Sequence, residues 1–199
     1  MELSPLAKQK LAQAGELSKE EREKMKLSEE LTAILTDFFT QKLETETLWA
    51  KLKDYRDSGR ESIIRELQLR LLHTLSLGGS DFDFDRNRAA ILSAETLKAP
   101  GRYPELESRL KAVQELRSKY LKEKTDAFNA MKQKIGDQVR KAAQQMARQS
   151  KNPNVAVDIE GSIEASVRSS AQWRNFSIKY ESDYGQQFDA LLVKLEKLL

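Results

Sequence analysis

The sequence has no cysteine and only one histidine, His73. Without thiols there are no disulfides, no thiolate nucleophile and no zinc site built on sulfur. A single imidazole also rules out paired Glu-x-x-His ligands and the His-Glu-x-x-His motif. Gly-x-Ser-x-Gly and the glycine loop that cradles phosphate are missing too. Four prolines and eight glycines in 199 residues leave few places where a helix must stop. No apolar run approaches the roughly 20 residues that span a bilayer, and Met1 to Lys10 contains nothing like a signal peptide. The expectation is a soluble cytoplasmic protein, non-enzymatic, with no cofactor and no membrane partner.

What the chain does contain is charge and helical phase. Charged residues make up 33% and apolar ones 39%, the balance of helices with one narrow apolar face and a wide solvated one. Net charge is +3, but it is unevenly placed. Residues 1–100 carry 16 basic and 18 acidic side chains, and residues 101–199 carry 18 and 13. That permits contact with phosphate-rich partners without requiring it.

The strongest pattern covers residues 104–150. Leu106, Leu110, Val113, Leu116, Tyr120, Phe128, Met131, Ile135, Val139, Ala142 and Met146 hold one phase, with only Lys124 polar in the series. The mean step of about 3.6 residues is that of a one-faced α-helix. Pro104 opens it, with Glu105 and Glu107 at the positive end of its dipole. A 47-residue helix is roughly 70 Å long, so the molecule is expected to be elongated or the helix bent, with Gly136 a candidate for the bend. Asn152, Pro153 and Asn154 close it, and Val155 to Val157 turn the chain back.

A final helix starting between Asp158 and Ser162 carries its own stripe: Trp173, Phe176, Tyr180, Tyr184, Phe188, Leu191, Leu195 and Leu198. The two stripes predict an antiparallel hairpin, about 104–150 and 160–199, in which facing residues have numbers totalling about 310. Tyr120 then lies near Ala190 and Phe128 near Ser182. Tyr120, Phe128, Tyr180, Tyr184 and Phe188 gather in the middle. Between 138 and 171 the facing residues are mostly Ala, Gln and Ser with scattered Val or Ile, and so little apolar material predicts a mobile tip.

Before the hairpin, Ser4-Pro5 and Gly15 bound a short opening helix. Ser18 and Glu21 form a capping box for a helix through Leu27, Leu31, Ile34 and Phe38. Thr40, Thr45 and Thr47 weaken that pattern before Trp49, Leu52 and Tyr55 resume it, so either one helix continues or a joint falls near 40–47; continuity to the break at Asp57, Ser58 and Gly59 is the preferred reading. A central helix follows over about 60–77, with Ile63, Ile64, Leu67, Leu71, Leu72 and Leu75 on a broad face and His73 toward solvent, capped by Gly78 and Gly79. Residues 80–85, alternating acid and aromatic, read as an extended connector with Phe82 and Phe84 inward, and Asp85 as the cap of a helix over 86–98. The fold class is thus all-α: an elongated helical bundle, single-domain, with N-terminal helices over 1–99 and the long hairpin over 100–199. Narrow stripes of this kind belong to bundles and coiled coils.

Three functional readings follow. The first is an interaction or scaffold protein working through protein–protein contacts, with a protein partner or self-association. The second is a nucleic-acid-associated protein. Lys132, Lys134, Arg140, Lys141, Arg148 and Lys151 lie in one stretch with a single acid, Asp137, and such a face suits contact with a phosphate backbone or a partner. The third is a metal-dependent enzyme using Asp81, Asp83 and Asp85, which echo the opening of a calcium loop. Arg86 stands where that loop needs glycine and Leu92 where it needs a bidentate glutamate, so solvated loop acids are the plainer account.

Overall fold

A computed structural model describes residues 19–98, 101–149 and 159–199. Among these the chain is all-helical. Seven helices follow in order: α1 (Lys19–Phe39), α2 (Thr45–Asp57), α3 (Ser62–His73), α4 (Asp81–Glu95), α5 (Tyr103–Gln149), α6 (Ile159–Ser169) and α7 (Ala171–Glu196). The expected opening helix, the Ser18 cap, Pro100 and the 152–157 turn lie outside the described residues. None of the described helices is long and apolar enough to cross a membrane. The described residues form two compact units, one from 19–74, 85–98, 101–103 and Leu199, the other from 75–84, 104–149 and 159–198.

In the first unit the expected apolar stripes meet in one core. Leu31, Ile34, Leu35 and Phe38 of α1, Leu48 and Leu52 of α2, and Ile63, Ile64, Leu67, Leu71 and Leu72 of α3 are all buried. The continuous helix expected over 18–57 is instead two, because α1 stops at a left-handed residue. Gln41 has φ 60°, Gln41 N–H donates to the Phe38 carbonyl, and Lys42 N–H donates to the Asp37 carbonyl. These are the paired bonds of a Schellman cap, with glutamine where glycine is usual. Thr40 prepares the stop by turning its hydroxyl back to the Thr36 carbonyl, 2.8 Å away. Helix α2 ends in the same way at Gly59, φ 78°, with Arg60 N–H on Tyr55 and Gly59 N–H on Arg56. Two such reversals bring α1, α2 and α3 side by side.

The α3–α4 connection also differs from expectation. Helix α3 ends at His73, not near 77, because Thr74 donates its hydroxyl to the Leu71 carbonyl and accepts from Asn87 Nδ2 at 2.9 Å. Residues 81–85 are the first turn of α4, with Ser80 Oγ accepting from Asp83 N–H at 3.3 Å, so Ser80 rather than Asp85 starts the helix. Helical spacing separates positions i and i+2 by about 200°, so only one of the two phenylalanines goes inward. Phe84 is 4% exposed and Phe82 59%.

Within the first unit α4 fits through buried polar groups. Gln68 Nε2 donates to the Ile91 carbonyl at 3.0 Å and to Glu95 Oε2 at 2.9 Å, and Lys98 Nζ lies 3.1 Å from the same carboxylate oxygen. Trp49 Nε1 donates to Thr96 Oγ1 at 3.0 Å. Arg86 stacks over Phe38 and donates to the Leu43 carbonyl at 2.7 Å.

The second unit is built on α5, one helix of 47 residues as its stripe requires. Leu106, Leu110, Val113 and Tyr120 are buried, and from Lys124 to Val139 the stripe is half-buried. The final helix of the expectation is broken in two at Ser170. That residue has ψ 142°, its Oγ accepts from Trp173 N–H at 3.1 Å and donates to the Val167 carbonyl at 2.7 Å. A serine pair that satisfies the backbone locally competes with helix continuation.

Candidate interaction surface

Helices α5 and α7 meet through a row of aromatic rings. Tyr120 stacks on Tyr180, with centroids 5.4 Å apart, and tilts against Tyr184 at 5.5 Å. Tyr180 continues to Phe176 at 5.0 Å, Phe176 to Trp173 at 5.4 Å, and Trp173 to Phe128 at 5.0 Å. Arg168 of α6 closes the row over the Phe128 ring. Tyr120, Tyr180 and Tyr184 come together as the stripes imply; Phe188 is buried and Trp173 joins the row unforeseen.

The register is not the expected one. Tyr120 meets Tyr180, Phe128 meets Trp173, and Gly136 faces Ile163, pairs whose numbers total about 300, roughly ten below expectation. The expected pairings Tyr120–Ala190 and Phe128–Ser182 assumed a turn centred on residue 155. Ring packing fixes the pairing instead, and Arg140 faces Glu160, so the last turns of α5 run on past the first turn of α6. A long connection costs little more closure entropy than a short one, so it does not dictate register.

Polar groups pin the rings from outside. Tyr184 donates to Glu123 Oε2 at 2.7 Å. Tyr180 reaches the same oxygen at 3.2 Å and the Tyr120 carbonyl at 3.0 Å, with one proton to give. Lys124 donates to Glu181 and to the Tyr120 hydroxyl, each at 2.8 Å. The bond from Tyr184 holds the Glu123 carboxyl below its ordinary range. Burial, then the pairing of the two phenols and the Glu123 charge, pushes Tyr180 well above its own, and burial with the Glu123 bond raises Tyr184. Burial opposes the Lys124 charge, but its bonds to Glu181 and Tyr120 win and keep it protonated. Phe128, Trp173, Phe176 and Tyr180 remain half-exposed, and Ile178, 70% exposed, stands on the same helix.

The basic stretch does not present a uniform cationic face. Lys132 Nζ lies 2.8 Å from Glu164 and 3.3 Å from Glu160, and Arg140 donates to Glu160 at 3.1 Å. Bonds to Glu164 and Glu160 raise Lys132, while Arg140 and Lys132 lower Glu160. Lys134 and Lys141 are exposed. The Arg148 side chain and Lys151 lie outside the description. Gly136 is a close approach: α5 continues as helix through it, and a Cβ there would sit 3.6 Å from Ile163 Cδ1. Ile163 and Val167, two of the scattered aliphatic residues expected at this end, are fully buried.

Asp81, Asp83 and Asp85 do not converge. They occupy alternate positions of one helix, and Asp81 Oδ1 accepts from Arg117 at 2.9 Å. Among the described residues no three His, Cys, Asp or Glu side chains are placed to share a metal ion. Arg117, only 2% exposed, was not singled out by sequence, where it reads as one more helix charge. It donates to the Gly79 carbonyl at 2.6 Å and stacks over Phe84, fastening residues 79–84 to α5. The signal that could have revealed it is its place between Val113 and Tyr120 on the apolar stripe. Surface grooves of the first unit are open, such as one of about 490 Å³ lined by Glu23, Leu27, Glu30, Gly59 and Arg60.

No curated protein and no solved structure matches the chain. A family model does match, over residues 49–197, which takes in most of α2, all of α3 through α7 and every residue of the aromatic row. The chain belongs to that family, DUF6657, a family of unknown function.

Proposed function

We propose that the protein is a non-enzymatic helical interaction module acting through protein–protein contacts. The observation that carries this reading is the aromatic row on the α5–α7 hairpin. Its tyrosines are held by Glu123 and Lys124 and its other rings by stacking on them in turn, yet Phe128, Trp173 and Phe176 stay half-exposed. Rigid, partly exposed aromatic side chains lose little entropy on binding and dominate the energetics of protein interfaces. Mass measurement by light scattering, with affinity capture from the native host, tests the reading. The expected result is a higher-mass species or a specifically retained protein, lost on Trp173→Ser with Phe176→Ser while helicity persists. A monomer that retains nothing, or a partner indifferent to those substitutions, would overturn it.

A further inference from the structure

Helix α6 is fastened to α5 by few apolar contacts and several charges. Among its described side chains only Ile163 and Val167 are buried. Around Ile163, Glu160 and Glu164, one turn apart on α6, meet Lys132 and Arg140, two turns apart on α5, with Glu160 bridging both cations. All four side chains keep substantial exposure, so salt screens these pairs. Ser170, in extended conformation, separates α6 from α7, leaving an eleven-residue helix, shorter than one that holds itself in water. Burial of two aliphatic side chains does not by itself order that many residues. The ion pairs therefore decide whether α6 stays down.

We propose that α6 is a self-occupying acidic cover: Glu160 and Glu164 fill a docking face of α5, formed by Lys132, Gly136 and Arg140, that accepts an acidic helix of a partner protein. The partner chemistry is read from the segment seated there, two carboxylates one turn apart flanking an aliphatic side chain that lies on a glycine. The inference rests on the protein-contact reading, but the aromatic row and this face share no residue, so either can fail alone.

Hydrogen exchange on the full chain is the first test. Raising ionic strength from about 0.02 M to about 0.5 M shrinks the Debye length severalfold. The amides of α6 should then lose protection about tenfold, while those of α7 and of residues 104–130 do not. The second test uses poly-L-glutamate as probe at low salt. Glu160→Gln with Glu164→Gln should bind it about tenfold more tightly than the parent, the scale of three exposed ion pairs released together. Adding Lys132→Gln and Arg140→Gln should abolish the gain; Lys134→Gln with Lys141→Gln should leave most of it. Protection of α6 that ignores salt overturns the proposal, as does a gain that survives loss of Lys132 and Arg140. Binding of a single-stranded DNA oligonucleotide in place of poly-L-glutamate would give the face to nucleic acid and likewise overturn it.

Discussion

Gln41 and Gly59 occupy the same position of the same cap, and only one of them suits it. A left-handed residue with a Cβ costs about 1–2 kcal/mol, whereas glycine gives back about 0.5–1 kcal/mol through the freedom it restores to the unfolded chain. Gln41→Gly is therefore expected to stabilise the first unit by about 0.5 kcal/mol and Gly59→Ala to destabilise it by about 1 kcal/mol. Urea denaturation of the two variants measures both, and a destabilising Gln41→Gly would remove strain at that residue from the account. Arg117 is the other residue whose role shows only in three dimensions. Arg117→Ala leaves a cavity and forfeits two hydrogen bonds, for an expected loss of about 3 kcal/mol. Arg117→Met, which refills much of the volume, should cost markedly less. An equal loss in the two variants would make the guanidinium, not the packing, the essential part.

At the scale of elements, α5 was legible nearly to the residue because one uninterrupted stripe and Pro104 define it without help from the rest of the fold. The same holds for the buried face of α3. The break at Thr40–Glu44 was legible only as the alternative to continuity and that at Ser170 not at all, since threonine and serine read only as weak helix formers until their hydroxyls are seen on backbone carbonyls. Residues 81–85 failed for a related reason: strict alternation of acid and ring mimics a strand, and the Ser80 cap converts it to a helix. The candidate site was half legible. The tyrosines were placed together by their periodicity, but Trp173 was not, because register depends on packing that no count along the chain supplies. Gly185 lies inside α7 with nothing within 4 Å of where its Cβ would be. Gly185→Ala is accordingly expected to add about 0.5–1 kcal/mol to stability, read as a higher urea midpoint.

For the molecule as a whole, the polar fastening of the rings sets limits of pH. Glu123 has its folded-state pKa lowered, so its contribution is complete above the unfolded carboxylate pKa, near 4.3, and disappears as pH falls through the lower folded value. Tyr180 and Tyr184 have theirs raised, so their contribution is complete below about 10 and is lost as pH climbs toward the higher folded values. Denaturation midpoints of the hairpin should be level from about pH 5 to about pH 9.5 and fall on either side. Glu123→Gln should flatten the acid limb; an unchanged acid limb would assign it to other carboxylates.

The two tryptophans have separate addresses. Trp49 hydrogen-bonds to Thr96 in the first unit, and Trp173 lies between Phe128 and Phe176 in the second. Each compact unit thus carries one tryptophan. Trp49→Phe leaves tryptophan emission from the second unit alone and Trp173→Phe leaves it from the first unit alone, so fluorescence excited selectively at tryptophan, beyond the tyrosine band, resolves the melting of either half without any added dye.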